Sequence, residues 1–176
     1  KTSKDIIFAV QYLKGGVGES VHQNNRYRNN DNGNIISLEQ AEFESDKDNR
    51  KALVEPTGSG QRPGKFNAPA TNNETSADFP VMRCAEVMLM YAEAANENHN
   101  GPTPQAKEAL KKVRNRAFAA EDQPEMVDTY VDKLTSKEDF FDAIVKERAW
   151  EFGGEKHRRY DLARWNLYGK TLYNLY

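Results

Sequence analysis

The side chains best suited to binding chemistry lie in the first half of the chain, where aromatic rings stand beside amides and guanidinium groups. Tyr12, Tyr27 and Phe66 lie in or next to a polar stretch, and Arg28 follows Tyr27 directly. An aromatic face bordered by polar groups suits a sugar ring, which is apolar on one face and carries hydroxyls at its edge. We therefore predict that Tyr12, Tyr27, Arg28 and Phe66 bind ligand. The alternative is that each aromatic ring packs its own loop onto the core.

Groups that could catalyse a reaction are few. His157 and Asp161 are one helical turn apart, which could orient an imidazole, but no Ser or Cys nucleophile is near them in sequence. A glycan-processing enzyme would instead need two carboxylates about 5 to 10 Å apart in a cleft. The acidic residues that could supply such a pair are Asp31, Glu39, Asp46 and Asp48. Spacing alone does not bring them together, so we predict no catalytic residues and no enzyme.

One stretch resembles part of a calcium loop. Gly33 and Glu39 hold its sixth and twelfth positions, but Arg28 stands at the first, where an acid is required. A polar Asn-Gly turn is therefore the better interpretation. The sequence also has no Cys or His cluster at metal-binding spacing and no glycine-rich phosphate loop. We predict neither a metal nor a cofactor.

Composition excludes other classes of partner. The 25 basic and 27 acidic residues give a net charge of −2, so nothing indicates binding to nucleic acid or to an anionic membrane surface.

The single cysteine, Cys84, lies in an apolar stretch and is expected to pack as a small hydrophobic residue. The chain opens without an initiator methionine or a targeting segment, so we expect it to be a piece of a longer protein.

The elements that must position these residues are helices predicted in the second half. Residues 79–97 are strong helix formers and are apolar on almost every side, which predicts a central helix. Two exceptions, Glu86 and Glu93, fall on one narrow stripe. Buried carboxylates need cationic partners, so this stripe predicts ion pairs with another helix.

A second helix is predicted after the breaker at residues 101–104, with Thr103 as its N-cap. It should run to about Phe118 and form an antiparallel hairpin with the first helix, because the connection is short. Its basic face carries Arg114 and Arg116, and we expect one of them to pair with the acidic stripe.

Two more helices are predicted further along the chain, after a connecting loop over residues 119–135. Ser136 caps the third helix, and Gly153-Gly154 ends it. Arg148 interrupts the apolar face of that helix and should be held by carboxylates. The candidates are Glu93, Glu151 and Asp161. Residues 155–165 predict the fourth helix, and the aromatic residues that follow it predict a docked tail.

The first half has little periodicity. Ile6 to Leu13 predicts a short buried strand or extended segment without an obvious partner strand. Residues 14–78 are rich in Asn, Gly, Pro and charged side chains, and no regular element longer than a turn or two is expected there. Stretches of this kind are either disordered or form loops that bind ligands. We expect residues 1–78 to form a loop-rich segment of the ligand surface and residues 79–176 a helical region, both within one larger domain.

Several short motifs are spread along most of the chain. They are Arg83-x-x-Glu86, Ala92-Glu93-Ala94, Arg114-Asn115-Arg116-Ala117, Glu147-Arg148, Glu151-Phe152 and Glu155-x-His157-Arg158-x-x-Asp161-Leu162-x-Arg164-Trp165. In this order they resemble the motifs of the SusD/RagB family of Bacteroidetes outer-membrane nutrient-binding lipoproteins. Upstream, Asp5-Ile6-Ile7-Phe8 resembles the family's E-I-I-F strand and Asp48-Asn49-Arg50 its D-P-R segment. The departures are Lys156, where the family usually has Gly, and Asn49, where Pro is usual. Family members are much longer, so the chain looks like a C-terminal part.

The resemblance implies a mainly α fold of tetratricopeptide-like α-helical hairpins, an α-α superhelix, with a long loop-rich segment and a short extended N-terminal run. It also implies a structural network of ion pairs among the charged motif residues. These are Arg83, Glu86, Glu93, Arg114, Glu147, Arg148, Glu151, Arg158, Asp161 and Arg164.

The function that the resemblance implies is starch or polysaccharide utilisation at the cell surface of the outer membrane. There the protein would bind an oligosaccharide or another nutrient and pass it to a SusC-like TonB-dependent transporter. It would meet the membrane only through a lipid anchor that is absent from this chain. The alternative is a helical-repeat protein-interaction module that binds no sugar.

Overall fold

The structure, a computed structural model, describes residues 4–10, 42–54, 79–155 and 157–175, and these are mainly α-helical, which confirms the predicted fold class. The elements in chain order are β1 (Ile6–Val10), α1 (Lys51–Val54), β2 (Phe79–Arg83), α2 (Cys84–Asn98), α3 (Pro104–Asn115), a π-helical turn (Pro124–Thr129) that continues as α4 (Tyr130–Asp132), α5 (Lys137–Glu151), α6 (Arg158–Arg164) and α7 (Tyr168–Leu175).

These elements fall into two compact units. The first, the ribbon unit, contains β1, β2, α6 and α7. The second, the helical unit, contains residues 42–51 together with α2, α3, α4 and α5. None of the helices within the described ranges combines the length and the apolar character that crossing a bilayer requires.

The hairpin of α2 and α3 forms as predicted, because both sides of its connection are capped. Asn100 adopts a left-handed conformation with φ of 52°, and the N–H of Gly101 donates to the carbonyl of Asn96 at 3.0 Å, as in a Schellman motif. On the other side, the Thr103 hydroxyl accepts from the backbone N–H of Ala106 at 3.1 Å. The first helix therefore ends, and the second begins, within a few residues.

The core of the helical unit lies where α2 contacts both α3 and α5. The apolar side chains with at most 1% exposure in this unit are Leu89, Ala92, Ala106, Leu110, Val113, Ala117, Val127, Val131, Phe140 and Ile144. They recur at helical spacing on each element, so one face of each helix is buried. The outer side of α2 is more exposed than predicted for a central helix, since Val87 and Tyr91 are 43% and 50% exposed.

The main difference from the sequence prediction is at residues 79–83, which form a strand rather than the first turn of a helix. β2 pairs antiparallel with β1, with Ile6 opposite Arg83 and Val10 opposite Phe79. A proline at position 80 is compatible with an edge strand, and β2 has one neighbouring strand among the described residues. β1 thus has a partner strand, and its side chains are largely exposed rather than buried.

Three further boundaries differ from the predictions. The predicted loop at residues 119–135 contains the π-helical turn and α4, the fourth helix begins at Arg158, and the aromatic tail is helix α7. The predicted end of the third helix agrees with the structure, since α5 stops at Glu151 and Gly154 has a positive φ of 78°. Ser136 also caps α5, accepting from the backbone N–H of Asp139 at 3.0 Å.

The cap at the start of α3 gives the first testable prediction. Thr103→Ala removes the oxygen that accepts from Ala106 N–H, so the free energy of unfolding should fall by about 1 kcal/mol. Thr103→Ser keeps that oxygen and is the matched control. Denaturant unfolding of both variants measures the difference, and equal stability of the two would contradict the assigned cap.

Candidate functional site

Residues 42–51, here called the strap, are the described part of the predicted loop-rich segment that joins the helical unit. The strap follows the predicted ligand residues Tyr27 and Arg28 in sequence and precedes Phe66. Its backbone is tied to the helices at two points. The N–H of Asn49 donates to the carbonyl of Ala117 at 2.9 Å, and the indole N–H of Trp150 donates to the carbonyl of Glu42 at 3.0 Å. The strap is thus attached near both of its ends.

Arg50 makes the strap's buried charged contacts. Its guanidinium donates to both carboxylate oxygens of Asp48, at 3.0 and 2.7 Å, and the backbone N–H of Arg50 donates to Asp48 at 2.9 Å. The Nη1 atom donates to Glu147 at 2.6 Å and to Glu151 at 3.2 Å. Burial alone lowers the pKa of Arg50, but the charges of Glu147 and Asp48 outweigh it and raise the pKa overall. Arg50 is therefore a fixed positive charge of the strap that lies against the carboxylates of α5.

Glu147 on α5 joins the strap to α3. Its side chain is 0% exposed, and its second carboxylate oxygen accepts from Arg114 Nη1 at 2.6 Å. Arg114 is itself buried and donates to the carbonyl of Met126 at 3.2 Å. The Arg114 guanidinium lies 3.9 Å from the ring centroid of Tyr130, a cation–π geometry. One carboxylate thus holds two guanidinium groups from separate elements.

Other charged residues of the helical unit extend this arrangement. Glu151 accepts from Arg116 at 2.8 Å as well as from Arg50. Arg148 lies 3.8 Å from Glu86. The prediction was that Arg114 or Arg116 pairs with the acidic stripe of α2, but Arg114 bonds Glu147 and Arg116 bonds Glu151, both on α5.

The ribbon unit has its own charged cluster. Arg83 donates to both oxygens of Glu155, at 3.0 and 2.7 Å, and to Asp5 at 2.9 Å. In α6, Arg164 donates to Asp161 at 3.0 Å. Glu93 and Arg158, the remaining predicted members of the network, each take part in at least one polar, ring or electrostatic contact.

Sequence reasoning missed Asp48, Arg50, Asp5 and Glu155 as members of these clusters. A signal was present, because Asp48-Asn49-Arg50 and Asp5-Ile6-Ile7-Phe8 were two of the motifs that carried the family resemblance. Asp48 was instead weighed as half of a catalytic carboxylate pair. With both oxygens accepting from one guanidinium, Asp48 is an ion-pair partner rather than a general acid.

The predicted ligand residues Tyr12, Tyr27, Arg28 and Phe66 lie outside the described residues, as do Asp31 and Glu39. Of the other catalytic candidates, Asp46 forms an ion pair with Lys51, and the His157 ring lies 4.9 Å from the Phe152 ring. No grouping of three or more potential metal ligands occurs within residues 4–10, 42–54, 79–155 and 157–175.

An apolar groove of about 610 Å³ lies between α2 and α3. Its walls include Val87, Met88 and Tyr91 from α2 and Ala109 from α3, and Glu108 and Lys112 stand at its rim. This is the face of α2 that the described residues leave exposed. A groove of this composition suits an apolar protein surface better than a sugar, which needs more polar partners.

The sequence of the chain is similar to that of known proteins. A protein-family model described as the SusD family matches residues 20–176. Over 101 residues, the chain is 44% identical to SusD-like protein P25 from Formosa agariphila, a match covering 57% of this chain and 17% of that protein.

Two solved structures are also similar. A SusD homolog from Bacteroides thetaiotaomicron has a TM-score of 0.50 at 31% identity, over 65% of this chain and 22% of that chain. A SusD superfamily protein from Bacteroides fragilis has a TM-score of 0.65 at 23% identity, over 93% of this chain and 37% of that chain, which shows a shared fold. The chain therefore spans well under half of the length of each of these relatives.

The position of Glu147 gives a prediction about stability. Glu147→Gln keeps the side-chain shape but leaves two guanidinium groups without their shared negative charge, so the free energy of unfolding should fall by about 3 to 5 kcal/mol. The control is Glu44→Gln, because the Glu44–Lys146 pair is exposed and should contribute less than about 1 kcal/mol. Denaturant unfolding compares the two, and equal losses would contradict a central role for Glu147.

The environment of Tyr130 gives a prediction about pH. Burial raises the pKa of Tyr130 from 10.0 to about 12, with Arg114 lowering it and Glu44 and Glu147 raising it further. The unfolded phenol therefore loses its proton at lower pH than the folded one, so stability should fall as the pH rises from about 10 to about 12. Tyr130→Phe should lose less stability over that interval than the wild type.

Denaturant unfolding at about pH 9 and about pH 11.5 measures this difference. The matched control is Tyr173→Phe, since Tyr173 is 85% exposed and its replacement should leave the alkaline decline unchanged. The same decline in wild type and Tyr130→Phe would show that Tyr130 is not the group responsible.

Proposed function

Because the chain belongs to the SusD family, we propose that it is part of a cell-surface protein that binds a glycan or another nutrient and passes it to a transporter. The observation that carries this proposal is the family match over residues 20–176, which includes the predicted ligand residues Tyr27, Arg28 and Phe66 as well as the described helices. The partner would be a SusC-like TonB-dependent transporter of the outer membrane. Attachment to that membrane would be through a lipid anchor carried elsewhere in the full-length protein.

The arrangement of the helical unit supports this proposal physically. Tyr27 and Arg28 precede the strap in sequence and Phe66 follows it, so both segments are tethered to the same buried support. Tethering reduces the conformational entropy that must be lost when the two segments meet a ligand together. A rigid scaffold carrying polar and aromatic loops is the usual arrangement of a binding protein.

The mechanism we propose is reversible. Tyr12, Tyr27 and Phe66 would stack on the apolar faces of sugar rings, and Arg28 would donate hydrogen bonds to hydroxyl groups. No covalent step is involved, and the protein is not an enzyme in this proposal. A complex held by stacking and hydrogen bonds can dissociate on the time scale that delivery to a transporter needs.

The apolar groove of α2 and α3 favours a second candidate, in which the helical unit contacts a protein and contributes no sugar binding. Val87, Met88 and Tyr91 give the groove exposed apolar area with a charged rim, as protein interfaces have. The two candidates differ in which surface matters. Tyr91→Glu should abolish binding of the protein partner if the second candidate is right, and should leave glycan binding intact if the first is right.

A binding screen tests the first candidate. We expect the full-length protein to bind one class of glycan on an array, and Tyr27→Ala and Phe66→Ala each to weaken that binding about tenfold, because each loses a stacked ring. The control is Tyr173→Ala, which removes an exposed ring from α7. Calorimetry gives the affinities, and melting curves show whether the variants remain folded.

The outcomes separate the candidates. Weaker binding at unchanged melting temperature would support a sugar site in the loop-rich segment. Binding that neither change affects would move the site to another part of the full-length protein. Failure to bind any glycan would contradict the proposal and favour the protein-interaction alternative.

A further inference from the structure

We propose that Arg50 is a positioning residue: it holds the strap on the helical unit and thereby fixes where the chain segments on either side of the strap leave that unit. The consequence for ligand binding rests on the function proposed above. The attachment of the strap does not rest on it and can be measured without a ligand.

The contacts of the strap differ greatly in strength. Lys47 pairs with Asp122 and Glu44 pairs with Lys146, but both pairs are exposed to water and contribute little. Phe43 stacks on Trp150 at a centroid distance of 6.0 Å. Arg50, by contrast, forms buried charge-assisted hydrogen bonds with two carboxylates of α5, one of them at 2.6 Å. Such bonds are roughly twice as strong as neutral ones.

Among the described residues, the strap touches the apolar core of the helical unit at Trp150, which stacks on Phe43, but it contributes no buried apolar side chain of its own. The buried residues that the strap contributes are Asp48 and Arg50, both charged, whereas the buried apolar side chains of this unit belong to residues 84–151. The contacts of α2 with α3 and α5 therefore remain when the strap leaves. Opening of such a segment is a local event with its own free energy, separate from global unfolding.

Charge balance explains why losing Arg50 would open the strap rather than unfold the helices. Around the strap, the guanidinium groups of Arg50, Arg114 and Arg116 bond the carboxylates of Asp48, Glu147 and Glu151. Without Arg50, Glu147 keeps Arg114 and Glu151 keeps Arg116, whereas Asp48 has lost the guanidinium that bonds both of its oxygens. Release of the strap lets water reach Asp48 and relieves the cost of its burial.

Hydrogen exchange of the ligand-free, full-length protein tests the attachment. In Arg50→Gln, we expect backbone exchange across residues 42–51 to accelerate at least about tenfold, while exchange in α2 and α3 changes less than about twofold. The matched control is Arg116→Gln, which takes a guanidinium from the same Glu151 but lies outside the strap and is 46% exposed. Its strap should exchange as in the wild type.

A second variant separates the bonds of Arg50 from its charge. Arg50→Gln combined with Asp48→Asn removes one positive and one negative charge, so the net charge around the strap is the same as in the wild type. We expect the strap still to open, because the bonds to Glu147 and Glu151 are lost. A strap as protected as in the wild type would show that Arg50 merely neutralises Asp48, and would overturn the proposal.

The binding arm uses the glycan identified by the array. We expect Arg50→Gln to raise the Kd for this glycan at least about tenfold, at a nearly unchanged melting temperature. Arg116→Gln should leave the Kd unchanged. Full affinity with an open strap would overturn the positioning role. Failure of Arg50→Gln to fold, or loss of protection throughout α2 and α3, would overturn it as well, since Arg50 would then be a general structural residue.

The two arms keep this inference distinct from the proposed function. If the wild type binds no glycan, the proposed function fails, and the ligand-positioning role fails with it. The exchange experiment still decides whether Arg50 holds the strap. If the wild type binds glycan but the strap of Arg50→Gln stays protected, the inference fails and the proposed function stands.

Discussion

The position of the strap against α3 and α5 depends on one buried carboxylate, Glu147, and the two guanidinium groups that it neutralises. An ionised carboxylate taken out of water costs several kcal/mol unless charged hydrogen bonds replace its hydration. Arg50 and Arg114 supply those bonds to the two different carboxylate oxygens, each at 2.6 Å. Because neither arginine can be solvated where it lies, the strap, α3 and α5 have to adopt the positions that bring all three groups together.

Much of the fold was predictable because its signals are local. The N-cap at Thr103, the glycine end of α5 and the apolar spacing of α2, α3 and α5 each act within a few residues, and all three appear in the structure. The strand at residues 79–83 was not predictable in this way. Phe-Pro-Val-Met-Arg fits a helix start and an edge strand equally well, and its pairing with residues 6–10 depends on a contact distant in sequence.

The partners of the charged side chains were also only partly predictable from the sequence. Sequence periodicity predicts Glu86 on the acidic stripe of α2 and Arg114 on the basic face of α3, but not how far each helix is rotated about its axis when packed. A small rotation decides whether Arg114 meets the stripe on α2 or the carboxylate of Glu147 on α5. The role of Asp48-Asn49-Arg50 was hidden for another reason: a strap without periodicity offers no pattern from which a buried position could be read.

The buried ion pairs of Arg50 restrict the strap to one arrangement, whatever their net contribution to stability. An apolar side chain can shift along an apolar helix surface with a small change in energy. A guanidinium that bonds three carboxylates keeps all of its hydrogen bonds in one arrangement only. Arg50 has such an arrangement with Asp48, Glu147 and Glu151. The helices can tolerate polar, irregular sequence on either side of the strap, because its register is set by charge rather than by the packing of the loops themselves.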